Sequence, residues 1–129
     1  MNNIIFIIYV SKQEESRKFY EKILNQKPVL DVPGMTEFQI NEHTKLGLMP
    51  EKGIAKILKD KTPNPESGNG IPRCELYIYT DNPEENIELA IKSGAKEISK
   101  YQSRDWGDYA GYVSDPDGHI VAFAKKIAK

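Results

Sequence analysis

The sequence predicts an α+β fold built from two successive βαβββ halves, and three observations lead there. A short β-branched run, a helical stripe of apolar residues and three short segments divided by turn residues occur in that order, and then occur again. The second strand and helix lie seventy residues after the first, so that Tyr9 aligns with Tyr79, Ser11 with Asp81, Glu14 with Glu84, Glu15 with Glu85 and Phe19 with Leu89. A stretch rich in Pro and Gly separates the two sets.

Ile4 to Val10 is short and rich in β-branched residues, which favours a strand over a helix. Ser11, followed three positions on by Glu14, has the form of a capping box opening a helix. Phe19, Tyr20, Ile23 and Leu24 then recur at three- and four-residue spacing and give that helix one apolar stripe. It is expected to end near Asn25, ahead of Pro28. Strands follow at about 28–32, 36–40 and 45–49, divided by the turn-prone pairs Pro33-Gly34 and Asn41-Glu42.

The order restarts after Cys74. Glu75 to Thr80 reads as a strand and Asp81 as a helix N-cap, with Pro83 and Glu84 suited to the first turn. Ile87, Leu89, Ala90 and Ile91 supply the apolar side of this helix, and Gly94 is placed to end it. Strands near 96–101, 108–114 and 119–125 complete the set, with Asp115-Pro116-Asp117-Gly118 as the last tight turn. Between the halves, Pro63, Pro65, Gly68 and Gly70 stand among Lys, Asp and Asn residues. That composition suggests a connector with one helical turn around Ala55 to Lys59, or a flexible lid. The expected organisation is one domain, residues 1–129, with half one at about 1–50, the connector at about 51–72 and half two at about 73–129.

Composition narrows the function classes. A chain of 129 residues, 39% hydrophobic and 29% charged, suits an ordinary globular domain with one core. The net charge of -1 provides no field to draw phosphate backbones or an anionic bilayer, so no nucleic-acid partner is expected. The run Ile4-Ile5-Phe6-Ile7-Ile8 is too short for a signal h-region or a membrane span, so no membrane partner is expected either. Cys74, the lone cysteine, has no internal disulfide partner, which fits a reducing, cytoplasmic setting.

The tandem repeat, together with Phe19-Tyr20 in the first helix and Asp115-Pro116-Asp117-Gly118 before the last strand, resembles the vicinal oxygen chelate superfamily. That group includes glyoxalase I, extradiol dioxygenases and the fosfomycin- and bleomycin-resistance proteins. The resemblance covers nearly the whole chain. It implies a cupped mixed β-sheet with helices outside, each half curling four strands into a shell. It also implies that metal-dependent members place ligands in the first and last strand of each half. Those positions here are Ile5, Gly47, Glu75 and Ala122, of which only Glu75 carries a donor, and the neighbours Leu46, Leu48, Val121 and Phe123 add none. The two histidines, His43 and His119, fall near predicted turns. Neither a metal nor another cofactor is expected.

Residues two apart in a strand share a face, so Tyr77 and Tyr79 accompany Glu75, while Leu76 and Ile78 point to the helix layer. The matching faces carry Ile5, Ile7 and Tyr9 in the first strand, Gly47 and Met49 in the fourth, and Ile120, Ala122 and Ala124 in the last. A cup lined this way is aromatic and apolar with one carboxylate, suited to a flat or hydrophobic ligand. The segment Asp105-Trp106-Gly107 is similar to the corresponding part of bleomycin-resistance-type proteins, which implies an aromatic residue at a pocket mouth. The expected ligand-binding set is Ile7, Tyr9, Met49, Glu75, Tyr77, Tyr79 and Trp106.

Each has a blander alternative. Trp106 could pack a strand end, the tyrosines could line a dimer groove, and Glu75 could pair with Arg73 or Lys45. His43 is expected to be solvated in its turn, His119 to face solvent or the helix side, and Cys74 to be a small buried strand residue. The favoured reading is a metal-independent protein, in character nearest the bleomycin-resistance type, that sequesters an aromatic or amphipathic small molecule. The competing reading is a glyoxalase-like lyase, isomerase or dioxygenase using Glu75 as base or partial metal ligand, which would require that carboxyl to be buried. A third is a regulatory or structural dimer without a ligand. Open strand edges lead to the expectation of a homodimer.

Overall fold

The computed structural model describes residues 2–128, and the chain divides into two compact units, one ending at Asn69 and the other beginning at Gly70. Unit 1 holds strand β1 (Ile4–Val10), helix α1 (Gln13–Leu24), strands β2 (Leu30–Val32), β3 (Met35–Asn41) and β4 (Thr44–Pro50), and helix α2 (Glu51–Leu58). Its sheet runs β1-β4-β3-β2, with β1 parallel to β4 and the other neighbours antiparallel. The chain leaves β1 through α1 and comes back by a meander, which is why first and last strand run the same way.

Phe19, Tyr20 and Ile23 of α1 are buried, as are Val10, Phe38, Leu46 and Leu48 of the sheet, and these form the core of unit 1. Leu24 is only half-buried at the end of the stripe. Asn25 ends α1 in the left-handed conformation, φ 51°, with the Gln26 N–H donating to the Glu21 carbonyl at 3.2 Å. The start differs from the expected capping box. Lys12, in extended conformation, is the N-cap, and the cap uses no side-chain bond. Gln13 is committed instead to the β2–β3 turn: its amide donates to the Val32 carbonyl at 2.8 Å and to Thr36 Oγ1 at 2.9 Å, and its Oε1 accepts from the Gly34 N–H at 3.0 Å. Beyond β4, the segment expected as a connector with one helical turn carries all of α2 and two 3-10 turns, Lys59–Lys61 and Pro65–Gly68, with Ile54 buried.

Unit 2 repeats the plan with β5 (Glu75–Tyr79), α3 (Pro83–Lys92), β6 (Lys96–Ser103), β7 (Asp108–Ser114) and β8 (Ile120–Lys126), in the sheet order β5-β8-β7-β6 with β5 parallel to β8. The N-cap of α3 is Asn82 rather than Asp81, and Pro83 opens the helix. Thr80 sets this entry, its hydroxyl accepting from the Asn82 N–H at 3.4 Å and donating to Asn86 Oδ1 at 2.7 Å. Ile87 and Ala90 are buried, but Leu89 and Ile91 are not. The helix packs closely on β7 at Ile87: a Cβ on Gly111 would stand 2.5 Å from Ile87 Cδ1. Cys74, expected inside the strand and buried, lies just ahead of it and is exposed.

The Asp115-to-Gly118 turn is closed from both sides. Its backbone is held by the Asp115 N–H donating to the His119 carbonyl and the Gly118 N–H donating to the Asp115 carbonyl, at 2.8 and 3.0 Å. The buried Asp115 carboxylate also accepts from the Asp117 and His119 N–H groups, both at 2.8 Å. Gly118 has φ +90°, and a Cβ there would meet the Gly70 backbone at 2.8–2.9 Å, so only glycine fits. Among the described residues, no helix is long and apolar enough to cross a membrane.

Candidate functional site

The expected site residues fall into two sets. In unit 1, Ile7 lies beside Gly47 and Tyr9 beside Met49 in the β1–β4 ladder. Ile5, Ile7 and Met35 crowd over Gly47, where a Cβ would meet their side chains at 3.0–3.4 Å. Ile7 is exposed, and Tyr9 and Met49 are half-buried. This face also carries polar side chains: Lys45 pairs with Glu37 at 3.1 Å, and Gln39 lies opposite Lys45 in the β3–β4 ladder.

In unit 2 the sheet register aligns Tyr77 with Ala122 and Tyr112, and Tyr79 with Ala124 and Ala110. The three alanines are fully buried, so a layer of small side chains carries the aromatic residues of this face. Asp108, the first residue of β7, lies on the same face as Ala110 and Tyr112 by strand parity. It is 2% exposed, and one carboxylate oxygen accepts from both the Tyr77 hydroxyl at 2.7 Å and the Tyr79 hydroxyl at 2.8 Å. The Tyr77 oxygen accepts in turn from the Trp106 indole N–H at 2.9 Å. The rings of Tyr77 and Tyr79 meet edge to face with centroids 5.4 Å apart. Tyr79 and Trp106 nevertheless remain 53% and 59% exposed, so polar edges are tied inward while ring surface stays open.

The loop carrying Trp106 is fixed by its neighbours. The Arg104 N–H donates to the Asp108 carbonyl at 2.7 Å, and the Arg104 guanidinium reaches the Ala110 and Lys100 carbonyls and the Ser99 hydroxyl at 2.8–3.1 Å. The same guanidinium lies 5.1 Å from the centroid of the Tyr112 ring. Gly107, at φ +92°, turns the chain between Trp106 and Asp108.

The electrostatics follow from this network. The hydrogen bond from Tyr77, aided by those from Tyr79 and Trp106 and by the charge of Lys126, holds the Asp108 carboxyl below the usual carboxylate range against the opposing effect of burial. Burial pushes the Tyr77 phenol up to about 12, and the charge of Asp108 adds to that. The Tyr112 phenol is also raised, first by burial and then by the charge of Glu75. Asp108 escaped the sequence reading, although its parity with Ala110 and Tyr112 and its place directly after Trp106-Gly107 were visible there.

Glu75 stands at the end of this row and is exposed, whereas the general-base reading required it to be buried. Lys45, one of its two expected partners, pairs with Glu37. His43 lies in the β3–β4 turn, exposed, with Nδ1 at 3.2 Å from Asn3 Oδ1. The positions that the superfamily resemblance assigns to metal ligands hold two aliphatic side chains, a glycine and one carboxylate, which is not a donor set for a divalent ion. Among the described residues, no group of three or more His, Cys, Asp or Glu is placed to hold one.

Residues 2–128 match the family model described as a glyoxalase-like domain. A glyoxalase-related enzyme from Fulvimarina pelagi superimposes with a TM-score of 0.80 at 21% identity, over 95% of this chain and 86% of that one. A glyoxalase/bleomycin resistance protein/dioxygenase family enzyme from Burkholderia phytofirmans gives 0.79 at 12% identity, over 95% and 97%. An uncharacterised Mycobacterium bovis protein is 22% identical over 112 residues, which cover 84% of this chain and 73% of that protein. The same stretch spans 65% of an uncharacterised relative from Mycobacterium tuberculosis. With the tandem βαβββ units and a family match along almost the full length, the chain belongs to the glyoxalase-like domain family of the vicinal oxygen chelate superfamily.

Proposed function

We propose that this chain is a metal-independent binding protein for a small aromatic or amphipathic molecule, held on the Tyr77, Tyr79 and Trp106 face of unit 2. The observation that carries this reading is the buried Asp108 carboxylate gathering two phenol hydroxyls, one of them also bonded to an indole N–H, while leaving ring surface open. Aromatic rings pinned at their polar edges lose little freedom when a ligand stacks on them, which is how a preorganised surface gains affinity. A divalent ion finds one donor where the enzymes of the superfamily would need several, so a route through a Lewis acid has no ligands to build on.

The test uses Trp106, the sole tryptophan, as its own probe. Titration with a panel of planar and amphipathic compounds is expected to change its fluorescence saturably for at least one of them, and Trp106→Phe is expected to weaken binding of that compound in calorimetry. Elemental analysis after dialysis is expected to find no stoichiometric metal. A panel without effect would overturn the binding reading, and one tightly held transition metal per chain would overturn the metal-independent part.

A further inference from the structure

We propose that the ligand of this face is an organic ammonium ion, and that the ε-ammonium group of Lys126 occupies its place in the free chain. This inference rests on the binding role proposed above and adds the chemical class of the ligand.

The first observation is the direction of the hydroxyl protons. Both Tyr77 and Tyr79 donate to Asp108, so their single protons point at the carboxylate. A phenol hydroxyl has one proton and acceptor lone pairs. With the proton spent inward, what Tyr79 offers outward is acceptor density and the π-face of its ring. The Trp106 indole has only its N–H to give, and that goes to Tyr77. The aromatic side chains of the rim therefore offer few donors to an anion or a carbonyl and present surfaces that attract positive charge, and of the two lysines beside them Lys125 donates to the Asp81 carbonyl at 3.3 Å. Behind it stands a carboxylate that its hydrogen bonds keep ionised.

The second observation is a cation already present. The Lys126 Nζ lies 4.9 Å from the centroid of the Tyr79 ring, within the range of a cation–π contact. Lys126 is the cross-strand partner of Asp108, so the ammonium sits over an aromatic face with the buried negative charge nearby. A groove of about 470 Å³ opens beside it, lined by Tyr79, Thr80, Asp81, Ala124, Lys125 and Lys126. The lysine stem is flexible and its end exposed, so a ligand cation can replace it at the ring while the lysine swings into water. Arg104 does not compete, because its guanidinium is engaged by Ser99, Lys100, Ala110 and the Tyr112 ring.

Three probes of similar size separate the possibilities: phenyltrimethylammonium, its neutral carbon isostere tert-butylbenzene, and benzoate, each titrated against Trp106 fluorescence. The ammonium ion is expected to bind at least about tenfold tighter than the neutral isostere, as a cation–π contact backed by a buried charge provides. Benzoate is expected to bind more weakly than either. Lys126→Met should tighten the ammonium ion severalfold by emptying the ring, and Asp108→Asn should weaken the ammonium ion by about tenfold more than it weakens the neutral compound, whose binding also depends on the rings that Asp108 holds. Circular dichroism of each variant checks its fold, and Lys126→Met, a surface change, keeps the test decisive if Asp108→Asn does not fold. Equal affinity for the charged and neutral probes would overturn the ammonium class and leave the binding role standing. Preference for benzoate, or loss of ammonium binding in Lys126→Met, would make Lys126 an anion contact and overturn the proposal. Silence from all three probes and from the wider panel would remove the binding role as well.

Discussion

Asp108 and Tyr77 are linked ionisations, and their shifts point in opposite directions. The Asp108 carboxyl is lowered from its ordinary 3.8, so its contribution to stability is present above that pH and is lost as the pH falls through the lowered value. The Tyr77 phenol is raised from 10.0 to about 12, so it keeps its proton after the unfolded chain has released its own. Its contribution is complete below pH 10 and disappears as the pH climbs toward 12. Alkaline titration followed by phenolate absorbance is therefore expected to show a late-titrating tyrosine that Tyr77→Phe removes. Denaturant unfolding should show stability falling across the same interval. This pairing could not be read from the chain, because the carboxylate and the two hydroxyls lie about thirty residues apart and meet only through the β5–β8–β7 register. Strand parity placed Tyr77 and Tyr79 on one face, but it said nothing about which distant strand begins with an acid beneath them.

Phe19 fills the α1 side of the unit 1 core at 2% exposure. Phe19→Ala is expected to cost about 3–5 kcal/mol in denaturant unfolding, as removal of a buried aromatic ring does. The turns allow a sharper comparison. Gly34 and Gly118 both have positive φ, but a Cβ on Gly34 meets open space, while one on Gly118 meets the Gly70 backbone. Gly34→Ala should then cost only backbone strain, of order 1–3 kcal/mol, and Gly118→Ala should cost clearly more, measured in the same way. The helices and strands themselves followed from periodicity and turn residues, which act over a few positions. The helix starts did not. Both N-caps lie one residue beyond Ser11 and Asp81. Gln13 bonds to groups about twenty residues on that only the tertiary fold brings near, while Thr80 bonds locally to Asn82 and Asn86, an entry that the residue types at Asp81 and Pro83 did not signal. Ile91, one turn after Ile87 on the same helix face, is exposed all the same, at the C-terminal end of α3 where the helix stops one residue later.

At the level of the whole chain, β1 is an edge strand of its sheet with Ile4, Ile5, Phe6 and Ile7 all exposed, Phe6 by 64%. Four exposed, uncharged residues in a row on an edge strand form the kind of surface that monomers usually blunt with charge or proline. We propose that a second copy covers it. Light scattering at micromolar concentration is expected to give twice the chain mass, and Phe6→Lys is expected to shift the population toward the single chain. A mass of one chain for the unaltered protein would remove the proposal. The family and the repeat were visible from the sequence because they rest on order and spacing. Open edges are counted only once the strand order is known.

The same strand order also sets a sequence of events in time. In each unit the parallel pairing joins the first strand to the last, Ile7 beside Gly47 and Tyr77 beside Ala122, while the intervening strands are joined by tight turns. Local hairpins close quickly, and a pairing that spans the whole unit must wait for them, since the long loop loses its freedom before the contact repays it. The strand synthesised first in each unit is thus the last to be seated. Until then the backbone of β1 lacks its ladder partners, and Val10, fully buried in the finished unit, stays in water between the making of β1 and the making of β4.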